Sequence, residues 1–142
     1  MISSDPAWEA FIREHRWAVL TSLRRTGAPV SSLVAYAADG DELVVSTRAA
    51  TFKHDSIARD ERVNLCILSG REPFDFVAVE GCCSIERNDL VPATKLVFAA
   101  IRDTPYQEPE DLEGWLEQEG RVILRIRPLR TYGVIRGLAD EA

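Results

Sequence analysis

Short apolar runs separated by turn residues constrain this chain more than any other feature. Residues 17–23 read as a strand, Thr26-Gly27-Ala28-Pro29 as a turn and residues 30–36 as the partner strand, so the first pair makes a hairpin. Asp39-Gly40 is a further turn signal between β-type flanks, which makes residues 42–47 the third strand of an antiparallel meander. Residues 63–68 supply the fourth strand, and residues 74–85 a long fifth, with Gly81 inside it as a bulge or bend. Residues 121–127 form the last strand, with Val122, Leu124 and Ile126 on one face and Arg125 and Arg127 on the other. Beyond Pro128, residues 132–135 add a pairing segment, and the tail from Gly137 is expected to fray.

Helical spacing occurs in only four places, and none of them sits regularly between strands. Asp5 before Pro6 is an N-cap with proline in the first turn, followed by Trp8, Phe11 and Ile12 on one face. A short helix spans residues 52–59. Asn88 or Asp89 caps another that carries Leu90, Val91, Leu96, Val97, Ala100 and Ile101, with Pro92 in its first turn, and this helix is expected to pack on the barrel wall. After an acidic, proline-bounded loop at residues 105–109, Leu112, Trp115 and Leu116 mark a last short helix that Gly120 stops. The order excludes a doubly wound parallel sheet. It predicts a mainly β fold with peripheral helices (α+β), a six-stranded antiparallel barrel in one domain over residues 1–142.

Charge narrows the function classes. The net charge of −6 argues against a general nucleic-acid or membrane-surface role, so an anionic ligand must be held by a local cationic patch. No apolar run reaches the length of a membrane span, and the first residues lack a signal peptide's layout, so the expected compartment is the cytoplasm. Cys66, Cys82 and Cys83 are odd in number and lie in strand-like contexts, which fits reduced thiols rather than a disulfide framework. Cys82 and Cys83 are adjacent on a strand and face opposite ways, and His15 and His54 have no partner at ligand spacing, so no metal site is expected.

One corner stands out. The strand ending at Ser46-Thr47 runs through Arg48 into a helix capped by Thr51, and Lys53 falls in the first helical turn, where a cation is disfavoured. Unpaired backbone N–H groups, two cations and several hydroxyls suit a phosphate. The same residues also read as solvated surface charges near Asp55, Asp60 and Glu61. No Walker loop, GxGxxG, GxSxG or HExxH is present, and the acids lie mostly in turns or on exposed helix faces. A barrel with an anion corner and few candidate acids or bases fits a protein whose cofactor carries the reaction.

The ordered set of motifs resembles a known family. The pieces are residues 18–22 with Gly27-Ala28-Pro29, residues 41–47, Lys53 with residues 59–65, Val79-Glu80-Gly81, and residues 121–124 with Tyr132-Gly133. They resemble the flavin- and deazaflavin-binding split β-barrels related to pyridoxamine phosphate oxidase, in particular the branch of F420-dependent oxidoreductases. The likeness covers nearly the whole chain. It implies a homodimer with two cofactor sites at the interface, and hydride transfer from reduced F420 to an electron-poor acceptor such as an enone, quinone or tetrapyrrole. An FMN-dependent relative and a non-catalytic F420 or flavin carrier are the alternatives.

By the same resemblance, the cofactor phosphate lies against Ser46, Thr47, Thr51 and Lys53, with Arg48 close by. The ring lies along the second and third strands near Ser32, Val34 and Val45, and Phe74 and Phe76 pack on it from the partner subunit. Phe76 reads equally as barrel core or dimer contact. Thr51 stands where some relatives carry a further cation, and Arg24 and Arg25 in the first hairpin turn could assist in its place. No catalytic residue is assigned, since solvent can protonate the product.

Overall fold

The computed structural model describes residues 1–136; the expected fraying from Gly137 lies outside the described residues. Helix α1 (Pro6–Glu14) begins as anticipated, with the Asp5 carboxylate accepting from the N–H groups of Ala7 and Trp8. Strands β1 (Trp17–Leu23) and β2 (Pro29–Ala35) form the first hairpin. Then come β3 (Ala37–Asp39), β4 (Glu42–Arg48), α2 (Phe52–Arg59), β5 (Arg62–Leu68) and β6 (Phe76–Glu86). Helices α3 (Val91–Ala100) and α4 (Leu112–Glu119) precede the long β7 (Arg121–Val134).

All pairings are antiparallel, and the sheet runs β2-β1-β5-β6-β7-β4-β3. It is a curled half-barrel of seven strands, which corrects the expected six. The extra strand is β3, too short to stand out in the sequence, which pairs with β4 across a tight turn where Gly40 takes the left-handed φ of 61°. The expected meander is also corrected, because β4 pairs with β7 and β3 and not with β2. The chain crosses from one end of the sheet to the other at Tyr36, which is fully buried and donates its hydroxyl to the Ile12 carbonyl at 2.7 Å. A buried tyrosine with its polar tip satisfied anchors that crossing.

The last two segments foreseen in the sequence are one strand. A proline interrupts a ladder because it lacks an N–H, and here the interruption is absorbed by a bulge. Gly81 pairs with Pro128 and Glu80 with Arg130, so Leu129 is the extra residue and lies on β7. A Cβ at Gly81 would stand 2.5 Å from the Arg127 carbonyl oxygen, so the close approach of the two strands requires glycine. Helix α3 departs from expectation at its start: Leu90 is the cap and makes no side-chain bond, while Asp89 holds a left-handed φ of 54°.

The concave side of the sheet is the main core. Leu20, Leu43, Val45, Leu65, Val79, Leu124 and Ile126 point into it, and Ile12 of α1 and Ile57 of α2 plug its ends. A second, smaller core lies on the convex side, where Ala93 and Val97 of α3 cover Val44 and Ile123. Cys83 is buried, and desolvation followed by the neighbouring Cys82 pushes its thiol up to about 12. Among the described residues, no helix is long and apolar enough to cross a membrane.

Candidate functional site

The corner between β4 and α2 forms as its residue types dictate. Thr51 caps α2, accepting from the His54 N–H at 3.3 Å, while its own hydroxyl donates to the Arg48 carbonyl at 3.0 Å. Its hydrogen is therefore spent inside the turn, and toward a ligand the hydroxyl presents lone pairs unless it rotates. The first N–H groups of such a helix have no intrahelical partner and favour negative charge. Lys53 follows on the first turn, half-buried, and makes no ion pair among the described residues. Burial and the nearby Arg121 charge both lower its pKa.

Lys53 stands between two clefts. The smaller, of about 450 Å³, lies between β2 and α2 and is bordered by Ser31, Ser32, Thr51, Phe52 and Asp55. The larger, of about 640 Å³, runs from the β2–β4 gap outward beneath α3 and α4, within the usual range for small-molecule sites. Ser46 and Thr47 line its floor, and Trp17, Phe98, Tyr106 and Trp115 make its walls. Those rings are packed in edge-to-face pairs, Trp17 with Tyr106 at 6.5 Å and Phe98 with Trp115 at 5.5 Å between centroids. The Ser46 hydroxyl is buried and makes no hydrogen bond within the described protein, as is true of the Arg121 Nε. Buried polar atoms left without a partner carry a cost, which a bound ligand can relieve.

The anticipated residues divide into three groups. Ser46, Thr47 and Lys53 meet at the larger cleft, and Ser32, Thr51 and Lys53 at the smaller. Arg48 is turned toward α4, its guanidinium 2.8 Å from Glu119, and so closes the corner from outside. Val34 is buried with the core yet borders the larger cleft, whereas the Val45 side chain is 0% exposed in the core and borders neither. Phe74 precedes β6 and is 52% exposed beside Arg136, and Phe76 opens β6 opposite Val134. Neither phenylalanine borders the two clefts of its own chain. Arg24 lies in a shallow groove with Phe52, Asp55 and Arg59, beside the smaller cleft.

Sequence reasoning overlooked Arg121 and the aromatic wall. Arg121 opens β7 opposite Arg48, and Gly120, with its left-handed φ of 61°, turns the chain so that the guanidinium lies 4.6 Å from the centre of the Trp115 ring. A signal existed: residues 103–120 hold seven acids and no Lys or Arg, and Arg121 is the first cation after them. Burial lowers the Arg121 pKa, and its only carboxylate neighbour among the described residues, Glu119 at 3.5 Å, is shared with Arg48.

Solved structures share this fold. The chain is similar over 90% of its length to a solved F420 reductase, covering 98% of it with a TM-score of 0.73 at 18% identity. It is similar over 89% to a putative pyridoxamine 5'-phosphate oxidase from Listeria innocua (94% covered, TM-score 0.66, 18% identity). A FAD-binding protein from Mesorhizobium loti aligns over 92% (94% covered, TM-score 0.70, 16% identity). At such identities these likenesses speak for the fold. No curated sequence matches. The family model for pyridoxamine 5'-phosphate oxidase matches residues 4–134, and the chain belongs to that family.

Proposed function

We propose that the protein is an F420-dependent oxidoreductase working as a homodimer. The observation that carries the reading is Lys53, a half-buried cation at a helix start with no ion-pair partner among the described residues, set where two clefts meet. Lys53, with the first N–H groups of α2 and the Ser32 hydroxyl, would hold the cofactor phosphate. Arg24 stands near enough to attract a longer acidic tail. Reduced F420 supplies a hydride to an electron-poor acceptor such as an enone, quinone or tetrapyrrole. The chain's part is to orient the ring along β2 and β4 and to exclude water with the aromatic wall. The solved F420 reductase of the same fold supports this cofactor.

The convex side of the sheet supports the dimer reading. Leu33, Val19, Cys66, Ala78 and Tyr132 form one row across β2, β1, β5, β6 and β7, and Phe76 pairs with Leu68 and Val134 in the next. Leu33 is 67% exposed, Tyr132 41% and Val134 42%. An apolar sheet face of that extent is the kind of surface a second subunit covers. Phe74 and Phe76 border it and would reach the partner's site from there.

FMN carries a phosphate on the same kind of ribityl chain, and the FAD-binding relative keeps a flavin as the second reading. Calorimetric titration of the purified protein with F420 and separately with FMN tests the proposal. Saturable F420 binding near one per chain is expected, and no F420 binding sinks the reading. Reduced F420 offered with a panel of enones, quinones and tetrapyrroles separates an enzyme from a carrier, since tight binding without oxidation anywhere in the panel indicates the carrier.

A further inference from the structure

We propose that the outer part of the larger cleft binds a planar aromatic ligand bearing a carboxylate, and that Arg121 determines this specificity. The inference rests on the cofactor reading in one respect: the phosphate is taken to lie on the smaller-cleft side of Lys53, which leaves the aromatic end free for the second reactant.

Shape argues for a flat ring. Trp17, Phe98, Tyr106 and Trp115 line a cleft of about 640 Å³, and such walls favour a ring they can stack or meet edge-on. Charge argues for an acid. Arg121 and Lys53 both line the cleft, and the one carboxylate that touches Arg121, Glu119, sits closer to Arg48, at 2.8 Å against 3.5 Å. Burial first and the Arg121 charge second lower the Lys53 pKa, so an anion placed against Arg121 eases part of that crowding of positive charge.

Geometry argues for a carboxylate in particular. The guanidinium carbon lies over the Trp115 ring at 4.6 Å from its centre, and the Nε is buried without a hydrogen bond in the described protein. The Arg121 side chain remains 21% exposed on the cleft, and the planar fork of a guanidinium matches the two oxygens of a carboxylate. From the acidic segment 103–120 only Pro105, Tyr106, Gln107, Pro109 and Trp115 border the cleft, so its lining carries cations and no carboxylate. The ligand therefore enters with its acid inward and its apolar or neutral end toward solvent.

A matched pair of probes tests this, 2-naphthoate and 2-naphthamide, which share a ring and differ in charge. Calorimetry on the full-length protein, with and without saturating FMN or F420, should give at least about tenfold tighter binding of the naphthoate. Arg121→Gln should abolish the preference while leaving naphthamide affinity within about twofold, and Arg121→Lys, which keeps the charge but not the fork, should retain part of it. Circular dichroism of both variants checks that they fold. Equal affinity for the two probes in the natural protein, no binding of either, or a preference that survives Arg121→Gln overturns the proposal. Displacement of naphthoate by F420 or FMN one for one, with cofactor binding lost in Arg121→Gln, also overturns it, because the cofactor itself would then occupy the cleft. If neither cofactor binds while the naphthoate preference persists, the cofactor reading fails and the acid specificity of Arg121 stands.

Discussion

The convex side of the sheet has two regions built from the same strands, and they differ in what covers them. Over β3, β4 and the first half of β7, α3 and α4 pack down and charged groups are tolerated because they are paired. Arg125 there bonds Asp39 and Glu86 at 2.9 Å each and approaches Glu42 at 3.4 Å. Over β2, β1, β5, β6 and the second half of β7, the face is a ladder of Leu33, Val19, Cys66, Ala78 and Tyr132. Hydrophobic area left exposed is free energy still to be gained, at roughly 25 cal/mol per Å² buried. The first region satisfies itself within one chain, and the second is suited to a second chain.

The largest effect is expected from charging the open face. Leu33→Glu combined with Tyr132→Glu should weaken self-association by about 3 kcal/mol or more, as like charges meet across a symmetric interface. Sedimentation at micromolar concentration should then give monomers, and the monomer should also lose cofactor affinity. A double variant that elutes unchanged would break the comparison. On the covered side, Lys53→Ala should weaken F420 or FMN binding by about 1–3 kcal/mol without altering the melting temperature. Unchanged affinity would return Lys53 to the solvated surface.

The same lysine carries a pH dependence. Its pKa is lowered by burial and by Arg121, so its charge is intact below that shifted value and is lost as pH rises through it. Phosphate-dependent affinity should therefore fall at a lower pH than an ordinary lysine would allow, and Arg121→Gln should move the fall back upward. A smaller effect is expected at Arg125→Gln, which leaves three carboxylates together and should cost about 1–2 kcal/mol in urea unfolding, since the group is partly screened by solvent. The smallest concerns thiols: Cys66 lies in the open ladder, so dilution to monomer should raise its reactivity toward a thiol reagent about severalfold, while buried Cys83 stays inert.

Much of this was legible in the chain because local rules decided it. The Asp5 and Thr51 caps, the Gly120 stop and the alternation of Val122, Leu124 and Ile126 each depend on a few neighbouring residues. What escaped was decided at a distance. The three residues of β3 have no pattern of their own and become a strand because β4 lies beside them. Arg121 looks like any strand-opening residue until α4 brings Trp115 under it. Val45 matches the expected strand position, but its side chain faces the core, since adjacent strand residues face opposite sides and it is Ser46 that lines the cleft.

The extra residue in β7 also sets the phase of the strand. Before Leu129 the odd-numbered residues, Arg121, Ile123 and Arg125, face the convex side; after it the even-numbered ones, Arg130, Tyr132 and Val134, do. The strand therefore keeps two separate counts, one indexing the ligand cleft and one the open ladder. Removing Leu129 alone would close the bulge and restore regular alternation, leaving Arg130 and Tyr132 outward, Thr131 inward and Arg121 in place. That single residue takes up the odd step between the two counts within one continuous backbone.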